Sequence, residues 1–136
     1  MRKIFSIRTS DSAFTIAALL LRVGAASLML VDHGLDKLMH FSEKAGKFAD
    51  PFHTGSTTAL AMTVFAEFFC SAFLILGLFT RLACIPLIIA MSVALFFAHN
   101  GEFFGAGESA GLYLVCFLTI LLLGPGKASL DNFIGR

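Results

Sequence analysis

The sequence has few charged residues, and this scarcity excludes most soluble folds. Only 14% of its 136 residues are charged, against roughly 25% in a typical soluble domain. Hydrophobic residues make up 57% of the chain. A chain of this composition cannot cover its surface with hydrated side chains, so a water-soluble globule is excluded. Intrinsic disorder is excluded too, because it requires low hydrophobicity and high net charge.

Neither sign of charge dominates, and this excludes a second class of function. Ten Lys and Arg residues stand against nine Asp and Glu residues, which leaves a formal net charge of +1. No basic patch emerges that would hold a polyanion, so we expect no nucleic-acid partner.

Cysteine is scarce, and tryptophan is absent. The three cysteines, Cys70, Cys84 and Cys116, lie singly in apolar runs without a CxxC pair. This pattern excludes a disulfide framework and a metal knuckle, and it favours thiols packed in the core. His33 and His99 could ligate haem across two helices, but no His-x3-His pair supports a metal site. We therefore predict no metal.

Long hydrophobic runs are what the sequence does contain. A membrane helix needs about 20 mostly apolar residues. Four segments approach this length, at about 13–35, 57–79, 82–98 and 108–123. They predict an all-α integral membrane four-helix bundle that forms a single domain over 1–136. Because Arg22 interrupts the first run, we interpret that run as a retained span rather than a cleaved signal.

The short loops predict an orientation. With both termini in the cytoplasm, the inner side has six basic residues, and the outer side has three. The inner set is Arg2, Lys3, Arg8, Arg81, Lys127 and Arg136, and the outer set is Lys37, Lys44 and Lys47. The 36–56 connection between the first two spans has Phe41, Phe48 and Phe52 among charged residues, which indicates a segment at the membrane interface.

Ionisable residues within the spans are the candidate functional residues. Such side chains are costly in hydrocarbon and usually face the bundle interior. Counted from the span ends, Arg22 and Glu67 lie within about one helical turn of each other in depth. We therefore predict that they pair, either to fix the packing of two helices or to contact a polar ligand or proton. His33 continues the Arg22 face towards the outer surface, where it meets Asp32, Asp36, Lys37, His99, Glu102 and Glu108.

The order and spacing of several motifs are similar to those of a known family. Arg22 is followed by His33-Gly34-Leu35-Asp36-Lys37-Leu38, and Glu67 by the turn Gly77-Leu78-Phe79-Thr80-Arg81. Glu108 and Leu112-Tyr113 open the fourth span, and Gly124-Pro125-Gly126 and Ser129-Leu130-Asp131 follow it. Together these motifs, from about residue 20 to 131, resemble the DoxX family of small four-helix bacterial membrane proteins.

The resemblance implies an architecture more strongly than a reaction. The family takes its name from a membrane subunit of a thiosulfate:quinone oxidoreductase, and other members are linked to membrane redox complexes and oxidative-stress tolerance. It places any functional role on Arg22, His33, Lys37, Glu67 and Glu108. His99 joins these residues in our candidate polar core.

These observations favour a redox-associated subunit of the bacterial inner membrane. The sequence shows no redox centre of its own, so electrons would come from a bound cofactor, such as a quinone, or from a partner protein of a redox complex. Whether the chain itself is an enzyme stays open. The alternatives are a non-enzymatic assembly or stabilising subunit and a small transporter. Four helices enclose little lumen, so the transporter would require a homo-oligomer.

Overall fold

The computed structural model of the chain describes residues 4–135, and all regular secondary structure in that range is helical. This confirms the all-α prediction. In chain order the helices are α1 (Asp11–Met39), α2 (Phe41–Lys44), α3 (Ser56–Leu76), α4 (Thr80–Ala98), α5 (Glu108–Leu123) and α6 (Leu130–Ile134). Arg2, Lys3 and Arg136, which enter the orientation prediction, lie outside the described residues.

Three of these helices are long and apolar enough to cross a membrane. Helices α1, α3 and α4 contain 29, 21 and 19 residues, and their most apolar windows have mean hydropathies of 2.1 to 2.2. Helix α5 is equally apolar, but its 16 residues extend only about 24 Å, less than the roughly 30 Å of bilayer hydrocarbon. The chain is thus compatible with a membrane helical bundle. The number of spans and the direction of the termini stay predictions.

The four long helices share one core. Helix α1 contributes the small residues Ala25 and Ala26, which let the neighbouring helices approach closely, and α4 packs along α5. The largest fully buried side chains include Met29, Leu74, Leu87 and Phe117. Cys70 and Cys84 are buried in this core, as the sequence predicts, and Cys116 is partly buried against it. Many large apolar side chains instead face outward, where hydrocarbon would surround them.

Helices α1 and α3 contact each other where each has a π-helical turn, which is wider than an α-helical turn. Residues Leu30–Gly34 of α1 and Phe65–Cys70 of α3 are wound as π-helix, and these two turns lie against each other. In the first, the Leu35 N–H reaches back five residues to the Leu30 carbonyl. Such turns are rare in α-helices and are frequent at functional sites. They therefore mark this crossing as a place to look for function.

The connection between α1 and α3 is folded by its own polar groups. The Asp50 carboxylate accepts hydrogen bonds from the Thr54 and Gly55 N–H groups and from the Thr54 hydroxyl. Desolvation raises the pKa of Asp50, but these hydrogen bonds outweigh it and hold the pKa below its ordinary value. The Phe52 ring contacts Phe97 of α4 edge-on at 6.0 Å, which ties the connection to the bundle.

The chain after α5 folds back against the turn between α3 and α4. Helix α3 ends at Leu76, the next residue is Gly77, whose φ of 70° suits a residue without a side chain, and α4 begins at Thr80. The Asp131 N–H donates to the Gly77 carbonyl at 2.9 Å. Residues 124–131 therefore lie against the α3–α4 turn, and they form what we call the C-terminal clamp.

Candidate functional site

An ion pair between Lys37 and Glu67 lies beside the two π-helical turns. The Lys37 ammonium donates to Glu67 Oε2 at 2.7 Å. The Glu67 side chain is 6% exposed, and that of Lys37 is 19% exposed. Removing two charges from water costs several kcal/mol per ion, of order what their attraction returns. A buried ion pair of this kind is therefore weak evidence that the pair stabilises the fold. Its presence calls for a reason other than stability.

His33 and Tyr113 extend the ion pair into a cluster. The His33 ring meets the Tyr113 ring edge-on, with centroids 5.5 Å apart, and Tyr113 stacks on Phe117 at 6.0 Å. Tyr113 joins the pair through His33, the residue before Gly34, which lies against the Glu67 backbone. We call His33, Lys37, Glu67 and Tyr113 the Glu67 cluster. It joins helices α1, α3 and α5.

The Glu67 cluster keeps hydrogen-bonding capacity that the described residues do not use. Within residues 4–135 the ring nitrogens of His33 and the hydroxyl of Tyr113 make no hydrogen bond, and Glu67 is bonded only through Oε2. One turn further along α3, the hydroxyl of Ser71 is fully buried and has no partner in the same range. Of these atoms only the Ser71 hydroxyl is buried, and buried polar groups are normally satisfied. The free atoms of His33, Glu67 and Tyr113 are accessible, so water or a ligand can bond them.

Two predicted site residues lie at the same end of the bundle but outside the cluster. His99 follows α4 and is half-buried against Gly107, and Glu108 is exposed at the first residue of α5. Among residues 4–135 neither side chain is hydrogen-bonded or ion-paired to the Glu67 cluster. The structure thus brings together Lys37, Glu67 and His33, but not all six predicted residues.

The predicted pair between Arg22 and Glu67 is wrong. Both side chains are buried, with residue exposures of 2% and 5%, but each has other partners. Arg22 lies beside Gly77, where a methyl group would be 3.0 Å from the guanidinium carbon. Gly77 is ten residues beyond Glu67, or about 15 Å along α3. Depth along each apolar run does not give the register between the helices, because α1 already begins at Asp11, whereas α3 ends at Leu76 beside Arg22.

Arg22 instead holds the C-terminal clamp. One guanidinium nitrogen donates to the Pro125 carbonyl, and the other donates to the Ala128 carbonyl at 2.6 Å. The Asp131 carboxylate accepts from the Phe79 N–H at 2.7 Å and from the Thr80 N–H at 2.8 Å, at the start of α4. Irregular backbone near a membrane must have its polar groups satisfied by protein, and Arg22 satisfies two of these carbonyls.

Sequence reasoning missed Tyr113 and Asp131 as site residues. Tyr113 is the single tyrosine of the chain and occurs in an apolar helix, which is a usable signal for a polar group inside the bundle. Asp131 follows Ser129, a residue type that starts helices, but its partners lie about 50 residues earlier. No local pattern in the sequence reports a contact over that distance.

The surface has depressions at both ends of the bundle. One of about 320 Å³ is lined by Glu43, Lys44, Lys47 and Phe48 of the α1–α3 connection. Another of about 200 Å³ is lined by Phe79, Thr80, Arg81, Leu82, Pro125 and Asp131 beside the clamp. Neither is lined by a residue of the Glu67 cluster.

The apolar helices, the outward apolar faces and the polar groups at the helix crossing define a multi-pass membrane protein. A family model described as DoxX matches residues 17–100, and the chain belongs to the DoxX family. A relative from Haemophilus influenzae, described as an uncharacterized protein, is 35% identical over 115 residues, covering 76% of this chain and 81% of the relative. No solved structure matches the chain.

Proposed function

We propose that this DoxX-family protein is a quinone-linked subunit of a redox system in the bacterial plasma membrane. In this proposal the Glu67 cluster holds the polar headgroup of the quinone. The observation that carries it is the set of polar atoms on His33, Glu67 and Tyr113 that have no partner among residues 4–135, beside an ion pair that packing alone does not require.

The residues of the cluster fit such a headgroup. A quinone presents two carbonyl oxygens that accept hydrogen bonds, and its reduced form presents hydroxyls that donate. Lys37 and Tyr113 supply donors, Glu67 Oε1 supplies an acceptor, and His33 serves as either. When bound, the quinone supplies the redox chemistry. The chain binds and orients the headgroup, and Glu67 and His33 are positioned to hold a proton beside it.

Binding of decylubiquinone to the purified protein in lipid nanodiscs tests the proposal. Tyr113→Phe removes a hydroxyl that has no described protein partner, so we expect unchanged thermal stability. The affinity of the protein for decylubiquinone should fall about tenfold, which corresponds to the loss of roughly one good hydrogen bond. Glu67→Gln should weaken binding at least as much, whereas Glu43→Gln, its exposed counterpart, should not. Saturable binding that is equal in Tyr113→Phe and wild type, or no binding beyond that of empty nanodiscs, would overturn the proposal.

A non-enzymatic assembly subunit is the second candidate, and the direct Lys37–Glu67 contact favours it. In that case the pair only orients α1 against α3, and a partner protein of a redox complex docks elsewhere. Replacing a buried ion pair by apolar residues of similar volume is often neutral or stabilising. The double variant Lys37→Met with Glu67→Met should then keep both fold and co-purifying partner. Under the quinone proposal, the same variant folds but no longer binds decylubiquinone.

The molecules that co-purify with the protein from its own membrane distinguish the two candidates independently. Purification in mild detergent followed by mass spectrometry identifies bound small molecules, partner proteins and any homo-oligomer. A co-purifying quinone that is lost in Tyr113→Phe supports the first candidate. A partner protein retained in the Lys37→Met and Glu67→Met double variant, without any quinone, supports the second.

A further inference from the structure

Gly34 makes the closest interhelical contact beside the Glu67 cluster. A methyl group at position 34 would lie 2.6 Å from the carbonyl oxygen of Glu67, 2.7 Å from its carbonyl carbon and 2.7 Å from the Phe68 nitrogen. All three atoms are backbone atoms in the middle of a helix, so none can swing aside. Real Cβ contacts essentially never fall below 3.0 Å. The two helix backbones therefore touch only because residue 34 has no side chain.

This contact sits on the same face as the ion pair. Lys37 lies three residues after Gly34, and residues with that spacing are neighbours on a helix surface. Gly34 rests on the backbone of Glu67, and Lys37 reaches the side chain of the same residue at 2.7 Å. The separation that Gly34 permits is thus the separation across which the Lys37 ammonium bonds Glu67.

We propose that Gly34 is a positioning residue of the Glu67 cluster: its missing side chain sets the distance between α1 and α3 at which Lys37 bonds Glu67. The φ of Gly34 is −66°, so alanine can adopt its backbone conformation and would remain helical. An alanine acts only by contact, moving the helices apart until the shortest distance rises from 2.6 Å towards an ordinary 3.4 Å. The Lys37–Glu67 bond then lengthens or breaks.

The chain offers two matched controls. Gly24, also in α1, has open space where a methyl group would be placed, so Gly24→Ala tests the substitution without a clash. Gly111 of α5 would place its methyl group 2.6 Å from the Phe103 ring, a side chain that can move. The three atoms nearest to that methyl group all belong to Phe103, so Gly111→Ala introduces a steric change in the bundle away from the contact between Gly34 and Glu67.

The labelling rate of Lys37 by an amine-reactive reagent, read by peptide mass spectrometry, tests the inference. Glu67→Gln, which removes the charged partner, sets the upper limit at about tenfold faster than wild type. We expect Gly34→Ala to approach that rate, and Gly24→Ala and Gly111→Ala to label like wild type. Wild-type labelling in a folded Gly34→Ala protein would overturn the inference, as would equally fast labelling in Gly111→Ala.

Folding and function are kept separate in this design. If Gly34→Ala alone does not fold, adding Gly24→Ala raises the helix propensity of α1 without a new contact and offsets part of the cost of the clash, and the same labelling comparison applies. The effect on decylubiquinone binding rests on the function proposed above, whereas the labelling of Lys37 does not. A wild-type protein that binds no quinone refutes that function and leaves the labelling result to decide the role of Gly34.

Discussion

Arg22 shows how backbone carbonyls can hold a buried cation, although its Nε has no hydrogen-bond partner among residues 4–135. Its two terminal nitrogens donate to the Pro125 and Ala128 carbonyls, which lie more than a hundred residues later in the chain. Hydrogen bonds that involve a charged group contribute more than neutral ones, typically about 1.5–3 kcal/mol each. Only the planar guanidinium presents two donors at that spacing, and a lysine cannot replace it.

We therefore expect Arg22→Lys to loosen the C-terminal clamp and to cost about 2 kcal/mol of stability, because one of the two charged hydrogen bonds is lost. Lys127 is exposed and precedes Ala128, so trypsin reports on the clamp directly. Cleavage after Lys127 should be faster in the variant.

Arg8→Lys is the matched control. Arg8 is exposed ahead of α1, so its replacement should change cleavage little. Equal cleavage after Lys127 in wild type and in Arg22→Lys would show that the clamp does not depend on the two guanidinium bonds.

The same residue shows how far the sequence could predict the site. Hydrophobicity and the cost of buried charge correctly predicted that Arg22 and Glu67 are buried in an all-helical membrane protein. Their partners could not be predicted, because depth counted along two helices does not give the register between them. That register depends on the Gly34 contact with the Glu67 backbone and on the length by which α1 extends past α3. Both are features of the tertiary structure, which no local pattern in the sequence reports.

At the scale of the element, the N-terminus of α4 is capped by a residue from a distant part of the chain. The first N–H groups of a helix have no partner within it, and its N-terminus favours negative charge. Here the Asp131 carboxylate accepts from the Phe79 and Thr80 N–H groups, while Asp131 is itself 5% exposed. A side chain from the C-terminal clamp thus caps the third long helix.

Asp131→Asn should lower the stability of the bundle by about 1–2 kcal/mol, because an amide offers one oxygen acceptor and no charge to the helix N-terminus. Thermal unfolding in detergent, followed by circular dichroism, measures the change. Asp11→Asn, at the exposed first turn of α1, should shift the midpoint much less. The same unfolding midpoint in Asp131→Asn and Asp11→Asn would show that the Asp131 cap stabilises the bundle no more than the exposed Asp11 does.

At the scale of the whole molecule, the two ends of the bundle differ in chemistry. One end has the C-terminal clamp with Arg22 and Asp131, and the other has the Glu67 cluster and the folded α1–α3 connection. The distribution of basic residues in the short loops predicts that the clamp faces the cytoplasm. The Glu67 cluster would then open towards the outer leaflet.

Reporter fusions test that orientation. Green fluorescent protein attached after Arg136 should fluoresce, because it matures in the cytoplasm, and alkaline phosphatase inserted near Gly46 should be active, because it requires the oxidising outer compartment. Exchanging the two reporters should abolish both signals. An active phosphatase at the C-terminal position would reverse the predicted topology, and with it the side from which the Glu67 cluster is reached.

The clamp also imposes an order on biosynthesis. Arg22 leaves the ribosome 103 residues before Pro125, so the guanidinium enters the translocation machinery with its eventual acceptors still unmade. Until those carbonyls arrive, the nascent bundle has an unsatisfied cation at one end. A ribosome that stalls before Pro125 would therefore release a protein that differs chemically from the finished one, and membrane quality-control proteases could recognise that difference.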